Sequence, residues 1–198
     1  MSPIPPPDAP RPVPPVDPAT FAHFRLQSEL VPSSSWGNSL AQRPPRAEWD
    51  RIRKQCYRDY RYRCGICGAE GRLEAHEIWH YDDTAHIQRL DGFIALCPLC
   101  HHIKHLRHAS RLIHRGKLDA KTLTQHFCTV NGCTPQTFQA YRAHALTQWR
   151  ARREHLWTVD LGSYAGETLG PPRPPRDHDR ADPPPTDRRD HDLADDDR

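Results

Sequence analysis

Two cysteine pairs, Cys64-x2-Cys67 and Cys97-x2-Cys100, constrain this chain more than any other feature. In a sequence that opens without a basic-then-apolar export signal, pairs at this spacing are metal knuckles more often than disulfide partners. Zinc takes four soft or borderline ligands in a tetrahedron, and two knuckles from separate stretches supply all four thiolates. Such a site is closed, and therefore structural. In small zinc domains it contributes about 10–16 kcal/mol of apparent binding energy near neutral pH. That matters here because 16 of the 21 prolines fall within 1–18 and 171–198, stretches with few apolar residues that cannot fold alone. Residues 46–162 remain to build a modest core. The other cysteines, Cys56, Cys128 and Cys133, read as small buried apolar residues.

The expected organisation is a disordered proline-rich tail over 1–20, a lead-in arm over 21–45 with Trp36 as its anchor, a folded domain over 46–162, and a disordered Arg/Asp-rich tail over 163–198. Charge is unevenly spread. Residues 46–170 carry 19 Lys/Arg against 13 acids, whereas 171–198 carry six Arg against nine Asp. A basic folded part favours a polyanionic partner. No apolar run approaches the roughly 18 residues of a membrane span, so a soluble, cytoplasmic protein with no membrane partner is expected.

Trp49, Ile52, Cys56 and Tyr60 fall at helical spacing over about 46–61, with Arg51, Lys54, Arg58 and Arg61 on the opposite face. Leu73–Tyr81 is rich in strand formers and Asp82-Asp83 breaks it. Phe93–Leu96 predicts a second strand that delivers Cys97, and Pro98 starts a helix running to about His108. A short helix over 118–128 ends near Asn131-Gly132. Thr134-Pro135 opens a last helix to about residue 156, with a core stripe of Phe138, Tyr141, Ala145, Trp149 and Leu156. Arg142, Arg150, Arg152 and Arg153 on that helix are candidates for phosphate contacts. The fold class is thus α+β.

Eight of the 14 histidines lie between residues 76 and 114. His76 stands between the knuckles, and His101 and His105 follow the second. On a helix from Pro98, positions 101 and 105 are one turn apart and share a face. A strand carrying His76 against that face completes a three-nitrogen site with open positions, the kind that holds a catalytic divalent metal.

Cys64-x2-Cys67, then Leu73-Glu74-Ala75-His76-Glu77-Ile78, then Leu96-Cys97-x2-Cys100-His101-x2-Lys104-His105 together resemble the HNH endonucleases with cysteine knuckles. The resemblance spans about 64–108. It implies a ββα-metal core there, wrapped by helices, and metal-dependent hydrolysis of nucleic-acid phosphodiesters, DNA or RNA, by a divalent ion such as Mg2+. It also implies that Cys64, Cys67, Cys97 and Cys100 hold structural zinc, and that His76, His101 and His105 ligate the catalytic metal. Where the family has its general-base histidine this chain has Glu77, and the family's asparagine, just before the second strand, falls near Asp91-Gly92. Glu77, His76 under an alignment shifted by one, or His80 is then the base; otherwise the module binds nucleic acid without cutting it. Duplex cleavage by such a one-site enzyme needs a homodimer or two successive nicks. His76-Glu77-Ile78-Trp79-His80 also matches the H-E-x-x-H signature of zincin proteases, which requires a helix through 73–84.

Overall fold

The computed structural model describes residues 17–40 and 45–165. The expected tails fall outside these residues except at 17–20 and 163–165. There, Pro18–His23 forms a 3-10 turn capped by the Asp17 carboxylate, and Gly162–Tyr164 forms another. Among the described residues no helix is long and apolar enough to cross a membrane.

The architecture is α+β. Helix α1 (Arg46–Asp59) leads to strands β1 (Glu74–Asp82) and β2 (Ile87–Leu96), helices α2 (Pro98–Lys104), α3 (Leu106–His114), α4 (Ala120–Asn131) and α5 (Pro135–Arg153), and a short strand β3 (Thr158–Asp160). β1 and β2 pair antiparallel and β3 adds parallel to β2, so the sheet order is β1-β2-β3. The hairpin turns where Asp82 Oδ1 accepts from the backbone N–H of Thr84 and Ala85, at 2.9 and 2.8 Å, a local bond that competes with the ladder and ends it. A bulge interrupts the register at Ile78/Trp79, opposite Asp91.

Several elements depart from the sequence expectation. β2 begins at Ile87, well before Phe93, so Asp91-Gly92 lie inside the strand and not ahead of it. Pairing of Arg89, Leu90 and Gly92 to β1, with Asp91 taken up in the bulge, overrides the weak strand propensity of Asp91 and Gly92. The helix from Pro98 stops at Lys104. His105, at φ −106° and ψ 54°, ends α2 and starts α3. α5 stops at Arg153, leaving Leu156 88 % exposed and outside the core. The other four members of its stripe are buried.

Residues 17–40, which comprise the end of the expected tail (1–20) and most of the expected lead-in arm (21–45), enter the core. Phe21, Leu26 and Leu30 are buried with Leu96, Ile103, Phe127, Phe138, Tyr141 and Trp149. Asn131 clamps the arm with two hydrogen bonds, accepting from Leu26 N–H and donating to Leu26 C=O, both at 3.0 Å. The Trp149 indole N–H reaches Val31 C=O at 3.1 Å. Each fully buried aliphatic or aromatic side chain contributes about 1.5–3 kcal/mol, so the arm adds substantially to a thin domain. A second cluster joins Leu40, Trp79, Leu90 and Leu161, beside which Trp49 of α1 packs on Phe93, ring centroids 5.9 Å apart. Cys56 is buried as expected, and Cys128 and Cys133 are half-buried against the main core.

Candidate metal centres

The first knuckle is a tight turn closed by Gly68 N–H to Cys64 C=O at 2.9 Å, and it is tied to the end of β2 by Gly65 N–H to Ala95 C=O at 2.8 Å. Gly65 admits no side chain, because a Cβ there would stand 2.8 Å from Ile94 Cγ1 and closer still to the Tyr60 ring. The second knuckle is the start of α2. Cys97 is the N-cap, its Sγ accepting from Cys100 N–H at 3.5 Å, and Pro98 occupies the first turn, where its missing N–H costs no helical bond.

The four sulfurs lie within 4.8 Å of one another and could hold a metal such as zinc. Cys67 Sγ and Cys97 Sγ are 3.7 Å apart, close to the edge of a tetrahedron built on Zn–S bonds of about 2.3 Å. The donor set fits the ion. Hydrogen bonds from the Cys100 and Cys97 thiols hold Cys64 far below the ordinary thiol range. Cys97 accepts from Cys100, which favours its thiolate, yet its bond to Cys64 and its burial prevail and push it up to about 11. Bonds to Cys64 and Cys97, then burial, raise Cys100 further. The neighbouring thiols thus stabilise Cys64 as a thiolate, and four thiolates together need a cation. His126, from α4, places Nε2 3.1 Å from Cys100 Sγ, a contact with no counterpart in the sequence reading.

The three histidines also meet. Their ligand nitrogens lie within 4.8 Å of one another. The ring centroids of His76 and His101 are 5.4 Å apart, those of His76 and His105 4.8 Å, and those of His101 and His105 4.7 Å. The break at His105 does not separate the pair, because His105 N–H still bonds His101 C=O at 3.1 Å.

Two carboxylates that the sequence reading missed orient these rings. Glu29 Oε2 lies 3.2 Å from His76 Nε2, and Glu74 Oε2 lies 2.6 Å from His101 Nδ1. A ring that donates one N–H to a carboxylate keeps the lone pair on its other nitrogen, the arrangement that fixes metal-binding imidazoles. Strand alternation puts residues 74 and 76 on one face, so Glu74 was findable. Glu29 carries no such signal. Burial would raise the Glu29 carboxyl, but His76 and the Lys104 ammonium, 2.8 Å from Oε1, hold it below the ordinary value. The His101 hydrogen bond lowers Glu74 despite its partial burial. Burial lowers His76, and burial with the neighbouring His76 and His101 lowers His105 well below the ordinary value. Both rings are therefore neutral near pH 7, the form that binds metals.

Glu77 lines the same cavity as the three histidines. Its Oε1 accepts from Ser39 Oγ at 3.0 Å and from Leu40 N–H, so the arm fixes it from outside the hairpin. His80 is exposed and lies outside this cavity. The H-E-x-x-H segment is a strand, in which positions 76 and 80 stand about 13 Å apart, and the helical turn that the protease signature needs does not form. Asp91 bonds Arg89 at 2.9 Å within β2. Arg152 forks onto Asp83 at 2.7 and 2.9 Å, so its guanidinium is committed within the fold. Arg51, Lys54, Arg58 and Arg61 are exposed along and just beyond α1.

No protein-family model, curated protein or solved structure matches the chain.

Proposed function

We propose that the chain is a metal-dependent endonuclease of the HNH kind that hydrolyses DNA phosphodiester bonds. The observation that carries this reading is the convergence of His76, His101 and His105 within 4.8 Å beside a separate four-sulfur cage. A divalent ion held by these rings, Mg2+ or a transition metal, would polarise a nonbridging phosphoryl oxygen and stabilise the leaving 3′ oxygen. Glu77 is the base in this reading, taking a proton from the attacking water. Ser39 and Leu40 hold its carboxylate in place. His76 is only 4 % exposed and is engaged by Glu29, which suits a ligand better than a base. Glu29 and Glu74 position the ligand rings, and the exposed cations of α1 face the phosphate backbone, with binding that weakens as salt rises. Seven cysteines with no disulfide among the described residues suit the reducing cytoplasm.

A second reading, a zinc-stabilised module that binds nucleic acid without cutting it, is favoured by the use of Glu77 as an anchor for the arm. Plasmid nicking by the full chain across added divalent metals, with a labelled casein as protease control, separates the readings. Metal-dependent nicked circles with intact casein are expected. Plasmid binding without nicking under any metal would assign the second reading instead.

A further inference from the structure

The cavity that the three histidines line has a volume of about 600 Å3, within the range of about 300–1,000 Å3 typical of small-molecule sites. Its walls hold four of the five tryptophans, Trp36, Trp49, Trp79 and Trp149. Trp79 and Trp149 are buried, while Trp36 and Trp49 are partly exposed. Two further lining residues are polar and almost fully enclosed. Ser35 is 3 % exposed and Gln88 2 %, and neither Ser35 Oγ nor Gln88 Oε1 has a hydrogen-bond partner among the described residues. Buried polar atoms are nearly always paired in native proteins, so two unpaired ones on residues that line the same cavity mark hydrogen-bonding capacity that a visitor reaches once these side chains turn toward it.

We infer that this cavity receives one unstacked nucleobase, so that the chain acts on single-stranded or locally opened nucleic acid. The identity of the polymer rests on the endonuclease reading; the chemistry of the pocket does not. A flat ring with polar edges satisfies both features at once, stacking on the partly exposed Trp36 or Trp49 indole, since Arg107 and Arg153 cover Trp149, and offering donors to Gln88 Oε1 and Ser35 Oγ. A base paired and stacked inside a duplex cannot reach such a space and must first leave the helix. His76, His101, His105 and Glu77 line the same cavity, so the phosphate adjoining the bound base shares one continuous space with the reacting groups.

Fluorescence anisotropy on the full zinc-loaded chain, without added divalent metal, tests this directly. The probes are a fluorescein-labelled pentanucleotide and the same backbone carrying tetrahydrofuran abasic units. Bases should tighten binding at least about tenfold. Gln88→Leu should cost most of that preference while leaving the thermal midpoint unchanged or raised, since it removes an unpaired buried acceptor. Should that variant fail to fold, Trp49→Leu reports on the same cavity. Equal affinity for the two backbones, or a Gln88→Leu variant that melts earlier yet keeps the base preference, overturns the inference. The same sequence as a duplex identifies the source of the base, since base-dependent binding of the duplex as tight as that of the single strand means extrusion, and binding confined to the single strand means single strands. Base preference without nicking would sink the endonuclease reading alone, and nicking without base preference would sink the pocket alone.

Discussion

Glu29 Oε2 lies 3.2 Å from His76 Nε2, while its other oxygen sits 2.8 Å from Lys104 Nζ. One carboxylate from the arm thus bridges His76 of the hairpin and α2, the helix that carries His101 and ends at His105. Glu29→Gln keeps the shape but loses the charge that orients the ring and balances Lys104. Affinity for a divalent ion at the histidine site should fall about 10–100-fold, measured by titration with Mn2+ or Co2+, with the sulfur-bound zinc retained. Unchanged affinity would make Glu29 a purely structural partner of Lys104.

Glu77 has two duties to separate, since its Oε1 holds Ser39 and Leu40 while the same carboxylate is the base of the proposed reaction. Glu77→Gln preserves an acceptor for the arm and removes the base. Nicking should drop about 10²–10⁴-fold with the thermal midpoint and metal binding near those of the parent chain. Full activity in this variant would move the base elsewhere.

Cys100 is the fully buried member of the four-sulfur cluster that could hold zinc, and it packs in the core. Zinc binding of about 10–16 kcal/mol matches or exceeds the whole stability of about 5–15 kcal/mol common in native domains. Cys100→Ser should therefore lose zinc and fail to fold, as read by metal analysis and far-ultraviolet circular dichroism. A zinc-free variant with a cooperative melt would show that the core suffices alone.

Acid should destabilise the chain in two stages. Burial depresses His76, and burial with the nearby His76, His101, His108 and Lys104 depresses His105, both below 6.5. The unfolded chain then takes up protons that the folded chain refuses, so stability present above about pH 6.5 declines below it. Glu29 and Glu74, held below 4.5, retain their contribution above that value and lose it as pH falls through their folded pKa values. Proton competition for the zinc thiolates acts in the same direction. Thermal midpoints should fall steadily from about pH 7.5 to 5.5, and His105→Gln should flatten that slope. A midpoint that rises with acid contradicts the buried, neutral rings.

What was legible in the sequence was local. The knuckle spacing, Pro98 after Cys97, the Asp82 turn and the Thr134 cap with Pro135 each act within a few residues, and each stands where expected. The arm was not legible because its partners are remote: Leu26 meets Asn131 across 105 residues and Val31 meets Trp149 across 118. Glu29 was missed for the same reason. The strand through Arg89, Asp91 and Gly92 depends on pairing with β1 and a bulge, which no propensity reports. The convergence of His76 with His101 and His105 was expected from the helix period and the knuckles. The change of backbone at His105 was not, since nothing in the local residue pattern marks it.

The central claim is tested most directly by His101→Ala, with metal content and plasmid nicking measured on the same preparation. His101 is partly exposed and its ring contributes no core packing of the kind Cys100 does. The variant should keep its zinc and its fold, lose the second divalent ion, and nick at least about 100-fold more slowly. A variant that retains that ion and nicks at the parental rate contradicts the account.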